Sequence, residues 1–247
     1  MATPRKGRCG MTYGDLTRGA TTKADGAYLE MRNQILLGTL EPGSRVDYVR
    51  LAASLGVSIT PLREALRRLE ADHLVIRNAH RDVVIAPLTE REASELVAVR
   101  QDLDLLAARL AAAQMTQQEI AAARKLVTSR DDTEALRYLR DAGLPVAADG
   151  MLSVDRAFHR MVYCGSHNQV LIQCRDALST RTERYVIVAR RLVAVPPEAV
   201  KSLHERLLAA LETRDAEAAA ELMRAHYRDL DLDFADVIFG RLSGRKP

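Results

Sequence analysis

The 247-residue sequence predicts a mainly α protein: a small helix-turn-helix head with a β-hairpin wing, then an all-α antiparallel helical bundle. Three observations carry that prediction. Residues 47–72 (DYVRLAASLGVSITPLREALRRLEAD) hold two short helical patterns around Gly56, the second of them basic. Two β-branched runs, 74–77 and 83–86, follow across a polar turn. Beyond Pro87 every periodic stretch has the helical period, and a chain 47% hydrophobic but 4% aromatic suits Ala/Leu-rich helices better than a sandwich.

Residues 1–25 show no sustained period. Arg5, Lys6, Arg8, Arg18 and Lys23 outnumber Asp15 and Asp25 there, and a flexible, solvated arm is expected. The head is placed at 26–88. Its first helix, 27–37, carries Ala27, Met31, Ile35 and Leu36 and stops at Gly38; Glu41-Pro42-Gly43 is a turn. Asp47 is placed to cap the next helix, and Gly56 to leave it in a left-handed conformation. Ser58 or Thr60 caps the following helix, with Pro61 in its first turn. Leu62, Ala65, Leu66 and Leu69 then face inward, leaving Arg63, Arg67 and Arg68 outside.

The bundle is placed at 89–240, with 241–247 as a tail. Thr89 with Glu92 and Thr116 with Glu119 read as capping boxes. Helices are expected near 90–114, 117–128, 132–142, 150–164, 167–192, 197–213 and 216–239, joined by breaks short enough for antiparallel neighbours.

Composition excludes several classes. Cys9, Cys164 and Cys174 match no metal or redox spacing and read as free thiols in a reducing cytoplasm. The first residues lack an apolar leader, and no run of about 18 apolar residues occurs, so a soluble, cytoplasmic protein without a membrane partner is expected. A net charge of +3 does not by itself announce nucleic acid. The second helix of the motif does. Ser58, Thr60, Arg63 and Arg67 share an exposed side, where arginines can fork onto guanine edges or phosphate and hydroxyls onto backbone oxygens. His80 and Arg81 in the wing add phosphate or minor-groove contacts. An ordinary solvated face paired with Glu64 and Glu70 is the alternative; the glycine turn and wing together favour double-stranded DNA.

The fragments L-x-P-G at 40, L-A-x-x-L-G-V-S at 51, T-P-x-R-E-A-L-R-R-L at 60 and A-P-L-T at 86 make residues 27–89 resemble the DNA-binding domain of the GntR family of bacterial transcription regulators. Ile59 stands where that family usually has arginine, and Asp82 where its wing turns on glycine. The resemblance implies a homodimer on a palindromic operator, with repression as the default by analogy.

In the bundle, polar residues fall where the period asks for apolar ones. Leu152, Asp155, His159 and Val162 form one stripe; Val200, His204, Leu207 and Leu211 a second; Leu222, His226, Leu230 and Phe234 a third. Each such group left unpaired in a core costs roughly 1–3 kcal/mol, so a shared partner is required. Asp155 and His159 at i, i+4 have the spacing of two ligands on one helix. A carboxylate and three imidazoles suit a divalent metal, zinc first, with nickel, iron or manganese as alternatives. The segments D-R-A-F-H at 155, H-E-R-L-L-A-A-L at 204 and M-R-A-H-Y at 223 resemble the effector domain of the FadR subfamily, the FCD-type domain. In its metal-binding branch these positions hold one Asp and three His ligands. His167, His73 and His80 are set aside as non-ligands.

Arg100 falls on the core face of the first bundle helix, with Asp104 one turn on. An open cation beside a guanidinium traps anions, so a small organic acid is the expected effector. Two other readings remain at this stage: a metalloenzyme using metal-activated water, against which no spare general base is placed, and a constitutive DNA-binding dimer with a purely structural metal.

Overall fold

The computed structural model describes residues 22–78, 82–129, 131–141, 150–193, 195–229 and 234–240. The head is built from α1 (Lys23–Leu37), α2 (Tyr48–Leu55), α3 (Ile59–Ala71), β1 (Val75–Arg77) and β2 (Val83–Ile85). The first helix starts earlier than the apolar period suggests. Thr22 and Asp25 cap each other reciprocally, a Thr-x-x-Asp box hidden among the polar residues assigned to the arm. Thr22 and then Arg68 hold the Asp25 carboxyl below its usual range.

Asp47 accepts from the amides of Val49 and Arg50, and Gly56 leaves α2 at φ +64, the conformation a side chain resists. Ser58 occupies the cap position of α3 without a side-chain hydrogen bond, and Thr60 lies inside the helix, so neither hydroxyl caps it as expected. The stripe Leu62, Ala65, Leu66 and Leu69 is buried against Met31, Ile35 and Leu51, with Leu74, Val83 and Ile85 of the wing closing the core. The strands pair antiparallel, Ile76 opposite Val84. Val46 donates to the Val83 carbonyl at 2.8 Å and Ile85 to that of Ser44 at 2.9 Å, so residues 44–46 add a third edge to the wing.

Among the described residues seven further helices follow: α4 (Glu90–Gln114), α5 (Gln117–Ser129), α6 (Asp132–Asp141), α7 (Gly150–Gly165), α8 (Gln169–Leu192), α9 (Pro197–Glu212) and α10 (Ala216–Asp229), with a π-helical turn at Asp236–Gly240. Of the helix expected over 216–239, α10 is described to Asp229, residues 230–233 with Leu230 lie outside the described residues, and the last residues expected in it are π-helical. Thr116 and Glu119 form a full capping box. Thr89 forms half of one: it accepts from the Glu92 amide, while its own amide donates to the Tyr185 hydroxyl at 3.1 Å. Glu92 is taken instead by Tyr185 and Arg181.

By internal contacts the chain divides into two compact units, one mainly Asp102–Arg175 with Pro197–Ala225, the other mainly Ala20–Gln101 with Asp176–Pro196 and His226–Pro247. The first is organised around α7, which packs on α5, α6 and α9, with Phe158, Val162, Leu208 and Leu211 fully buried. The second holds the head core and a separate cluster of Leu96, Val97, Tyr185, Phe234 and Ile238. No helix among the described residues is long and apolar enough to cross a membrane.

Candidate functional site

On the head, Ser58, Thr60, Arg63 and Arg67 are all exposed, as a groove-reading face requires. Arg68 is not part of that face. Its guanidinium turns back 4.1 Å over the Tyr28 ring and pairs with Asp25 at 2.5 Å, bracing α3 on α1. Ile59 is half-buried against the head core, so it serves packing where the family carries a cation. Asp82 is paired with Arg45 at 2.5 Å, which offsets the negative charge it would otherwise turn toward phosphates. His80 and Arg81 lie outside the described residues.

In the bundle, Asp155 and His159 come from α7, His204 from α9 and His226 from α10. All four are buried, and one ligand atom from each lies within 4.8 Å of the others. The His204 Nε2 is 3.2 Å from Asp155 Oδ1 and that of His159 is 3.6 Å away. Burial would raise the Asp155 carboxyl; the His159 and His204 imidazoles prevail and hold it well below the usual carboxylate range. The Phe158 ring packs against the His204 ring, centroids 4.2 Å apart and planes tilted by 31°. An ionised carboxylate facing imidazole nitrogens inside an apolar shell is a donor set that could hold a divalent ion; these four residues fit one.

The other described histidines, His73 and His167, are not members of this cluster. His167 is exposed, sits at φ +50 and meets Glu119 at 3.1 Å, and His73 lies at φ +58 in the exit from α3. Arg100 is half-buried with its guanidinium 5.4 Å over the Tyr227 ring, next in sequence to His226. Asp104 is buried and accepts from the Tyr163 hydroxyl at 2.5 Å.

A cavity of about 190 Å³ reaches the cluster; its lining includes the buried Asp155 and His204, the apolar Val127, Val154 and Val200, and the more exposed Asp132 and Lys201. Lys201 and Asp132 were not singled out by the sequence. Lys201 had a signal, since it precedes His204 by three residues and shares its helix face; Asp132 comes from α6 and had none. A second arrangement invisible in the sequence lies where the head leaves off. Buried Arg184 donates to the Ala86 carbonyl and Tyr185 holds Thr89 and Glu92, so α8 grips the segment that follows the wing, while Arg191 donates to the Leu37 carbonyl at the end of α1 at 3.1 Å. Burial, first of all, pushes the Tyr185 hydroxyl up to about 12, which keeps it a neutral donor.

Comparison with known proteins agrees with both halves. Residues 23–85 match the description "Bacterial regulatory proteins, gntR family", and residues 95–229 match the FCD domain. The chain is 28% identical to the HTH-type transcriptional regulator McbR of Escherichia coli over 202 residues, 79% of this chain and 86% of that one. It is 26% identical to the HTH-type transcriptional repressor GlaR of Escherichia coli, over 83% of this chain and 92% of the relative. The solved structure of E. coli McbR/YncC superposes with a TM-score of 0.61 at 24% identity, covering 86% of this chain and 99% of that one, which shows a shared fold. Both matched domains and these relatives are those of transcription regulators, not of enzymes. The chain therefore belongs to the GntR family of bacterial regulatory proteins, a DNA-binding transcription regulator with an FCD domain behind its winged head.

Proposed function

We propose that this regulator is a metal-dependent sensor of small carboxylic acids that acts as a homodimeric repressor on a palindromic operator. The observation that carries the reading is the buried quartet Asp155, His159, His204 and His226, with its donor atoms within 4.8 Å. When bound, a divalent ion, zinc first, would add positive charge and an acceptor position for a carboxylate oxygen. The chain's own residues do the rest. Asp155 orients the two imidazoles that face it, Phe158 excludes water from the His204 ring, and Arg100 adds positive field beside His226. A cavity that reaches Asp155 and His204 favours a sensor over a purely structural rivet, since a rivet needs no access for a ligand.

On the DNA side, Arg63 and Arg67 read base edges or phosphate, and Ser58 and Thr60 fix register on the backbone. His80 and Arg81 of the wing are assigned to the adjacent phosphates. Dimerisation is assigned to α4, where Val99 and Leu106 are exposed and Leu103 and Leu110 half-buried at helical spacing. The acid must bind two head arrangements with different affinity for the switch to operate. The α8 grip on Ala86, Thr89 and Glu92 is the element that transmits a change in the helices to the wing.

The test uses DNA sites selected in vitro with the metal-loaded chain. A small carboxylic acid is expected to change operator affinity at least about fivefold in the wild type, and not at all in His159→Ala. An affinity indifferent both to acids and to chelation would establish the constitutive dimer instead.

A further inference from the structure

We infer that a phosphate-binding site lies where α8 meets the end of α1, with Arg32, Arg190 and Arg191 as its cations and a phosphate group, free or at the end of a small ester, as its ligand. The inference is independent of the metal quartet and of any acid bound there. It starts from Arg32, which shares one side of α1 with Tyr28 and Leu36, one turn before and after it, and is only 5% exposed. Its Nε is shut away from solvent without a hydrogen-bond partner, and no carboxylate among the described residues pairs with its guanidinium. The acids that serve its neighbours are already taken: Asp25 by Thr22 and Arg68, Asp72 by the Tyr28 hydroxyl. A guanidinium does not shed its proton, so a buried one calls for an anion from outside the chain.

Arg190 repeats the pattern from the other helix. It stands in the last turn of α8, and its Nη1 is buried without a hydrogen-bond partner. The next residue, Arg191, joins the two helices. Its Nη2 donates to the Leu37 carbonyl at 3.1 Å, and its Nη1 is 3.7 Å from where a Cβ on Gly38 would lie. Arg32 precedes Leu37 by five residues, about 7.5 Å of helix, within the combined reach of two arginine side chains. Three guanidinium groups thus flank one joint. A carboxylate balances one of them; a phosphate dianion balances two and offers oxygens to several N–H forks at once. Because α1 belongs to the head and α8 to the helices behind it, the bound anion ties one to the other.

Thermal melts of the full chain in phosphate-free buffer test this, with inorganic phosphate, glycerol 3-phosphate or potassium chloride added at matched ionic strength. At least one of the two phosphates is expected to raise the melting temperature by about 2 °C or more over chloride at saturation; a larger gain with the ester assigns the site to esters, an equal one to free phosphate. Arg32→Met removes a buried charge, so without anion it should melt no lower than the wild type, and it should lose the phosphate-dependent gain, as should Arg190→Met. His159→Ala and Arg63→Ala should keep that gain. No gain over chloride, a gain that survives in both Arg32→Met and Arg190→Met, or one lost in His159→Ala or Arg63→Ala overturns the inference. So does an Arg32→Met chain that melts well below the wild type without phosphate, since its guanidinium would then be satisfied within the fold.

Discussion

The head and the bundle handle polar chemistry in opposite ways. Among the described residues of the head, Arg32 is the one buried charged group, and the residues assigned to DNA all face solvent. The bundle helices bury Asp104, Asp155, Arg156, His159, Arg160, Glu183, Arg184, His204 and His226. The difference suits the ligands we propose. A duplex is larger than the domain that reads it, so its contacts must be presented outward; a cation and a small acid must be enclosed, since electrostatic recognition is strong only where water is excluded. An ionisable residue on a helix's inner stripe is therefore the informative signal in the bundle, and one on the outer face is the signal in the head.

That contrast can be broken from either side. The largest stability effect is expected at Gly165, the last residue of α7, where an added Cβ would lie 2.7 Å from Met115 Cγ and 3.2 Å from its Cβ. Gly165→Ala should cost about 1–3 kcal/mol in denaturant unfolding and should leave the head's intrinsic contacts with DNA intact. Arg63→Ala should do the reverse. It should weaken operator binding by about 1–3 kcal/mol at unchanged melting temperature and metal content; unaltered DNA affinity would mean that α3 presents a different face to the groove.

Smaller effects sharpen the picture. Asp47→Ala leaves the Val49 and Arg50 amides uncapped and should destabilise the head by about 1 kcal/mol, read by amide exchange in α2. The smallest effect is expected from Asp82→Asn. It releases Arg45 from an exposed pair worth under about 1 kcal/mol and should tighten DNA binding modestly at low salt, with the gain vanishing as salt rises. A gain that persists at high salt would show that Asp82 matters through geometry rather than charge.

Much of this was legible in the sequence because it is local. The glycine exit at Gly56, the cap at Asp47 and the stripe on α3 depend on neighbours within a turn or two. The convergence of Asp155 with the three histidines was legible for a related reason: each imidazole breaks an apolar stripe whose period survives on either side, and Asp155 and His159 stand one turn apart on one helix. What escaped depends on partners distant in sequence. Arg68 was read as outward because nothing local shows Asp25 and Tyr28 waiting across the head. Glu92 was read as a cap because Tyr185 and Arg181, about 90 residues away, compete for it successfully. The cavity is assembled from α5, α6, α7 and α9, and no single stretch carries its outline.

The central claim, that a buried carboxylate and three imidazoles gather around one cation, is tested most directly by titrating zinc, nickel and manganese into the metal-stripped full chain. One tightly bound ion per chain is expected, with affinity falling more than about a hundredfold in His204→Ala and in His226→Ala. Failure of all three metals to bind saturably, or equal uptake by the wild type and both variants, would contradict the account.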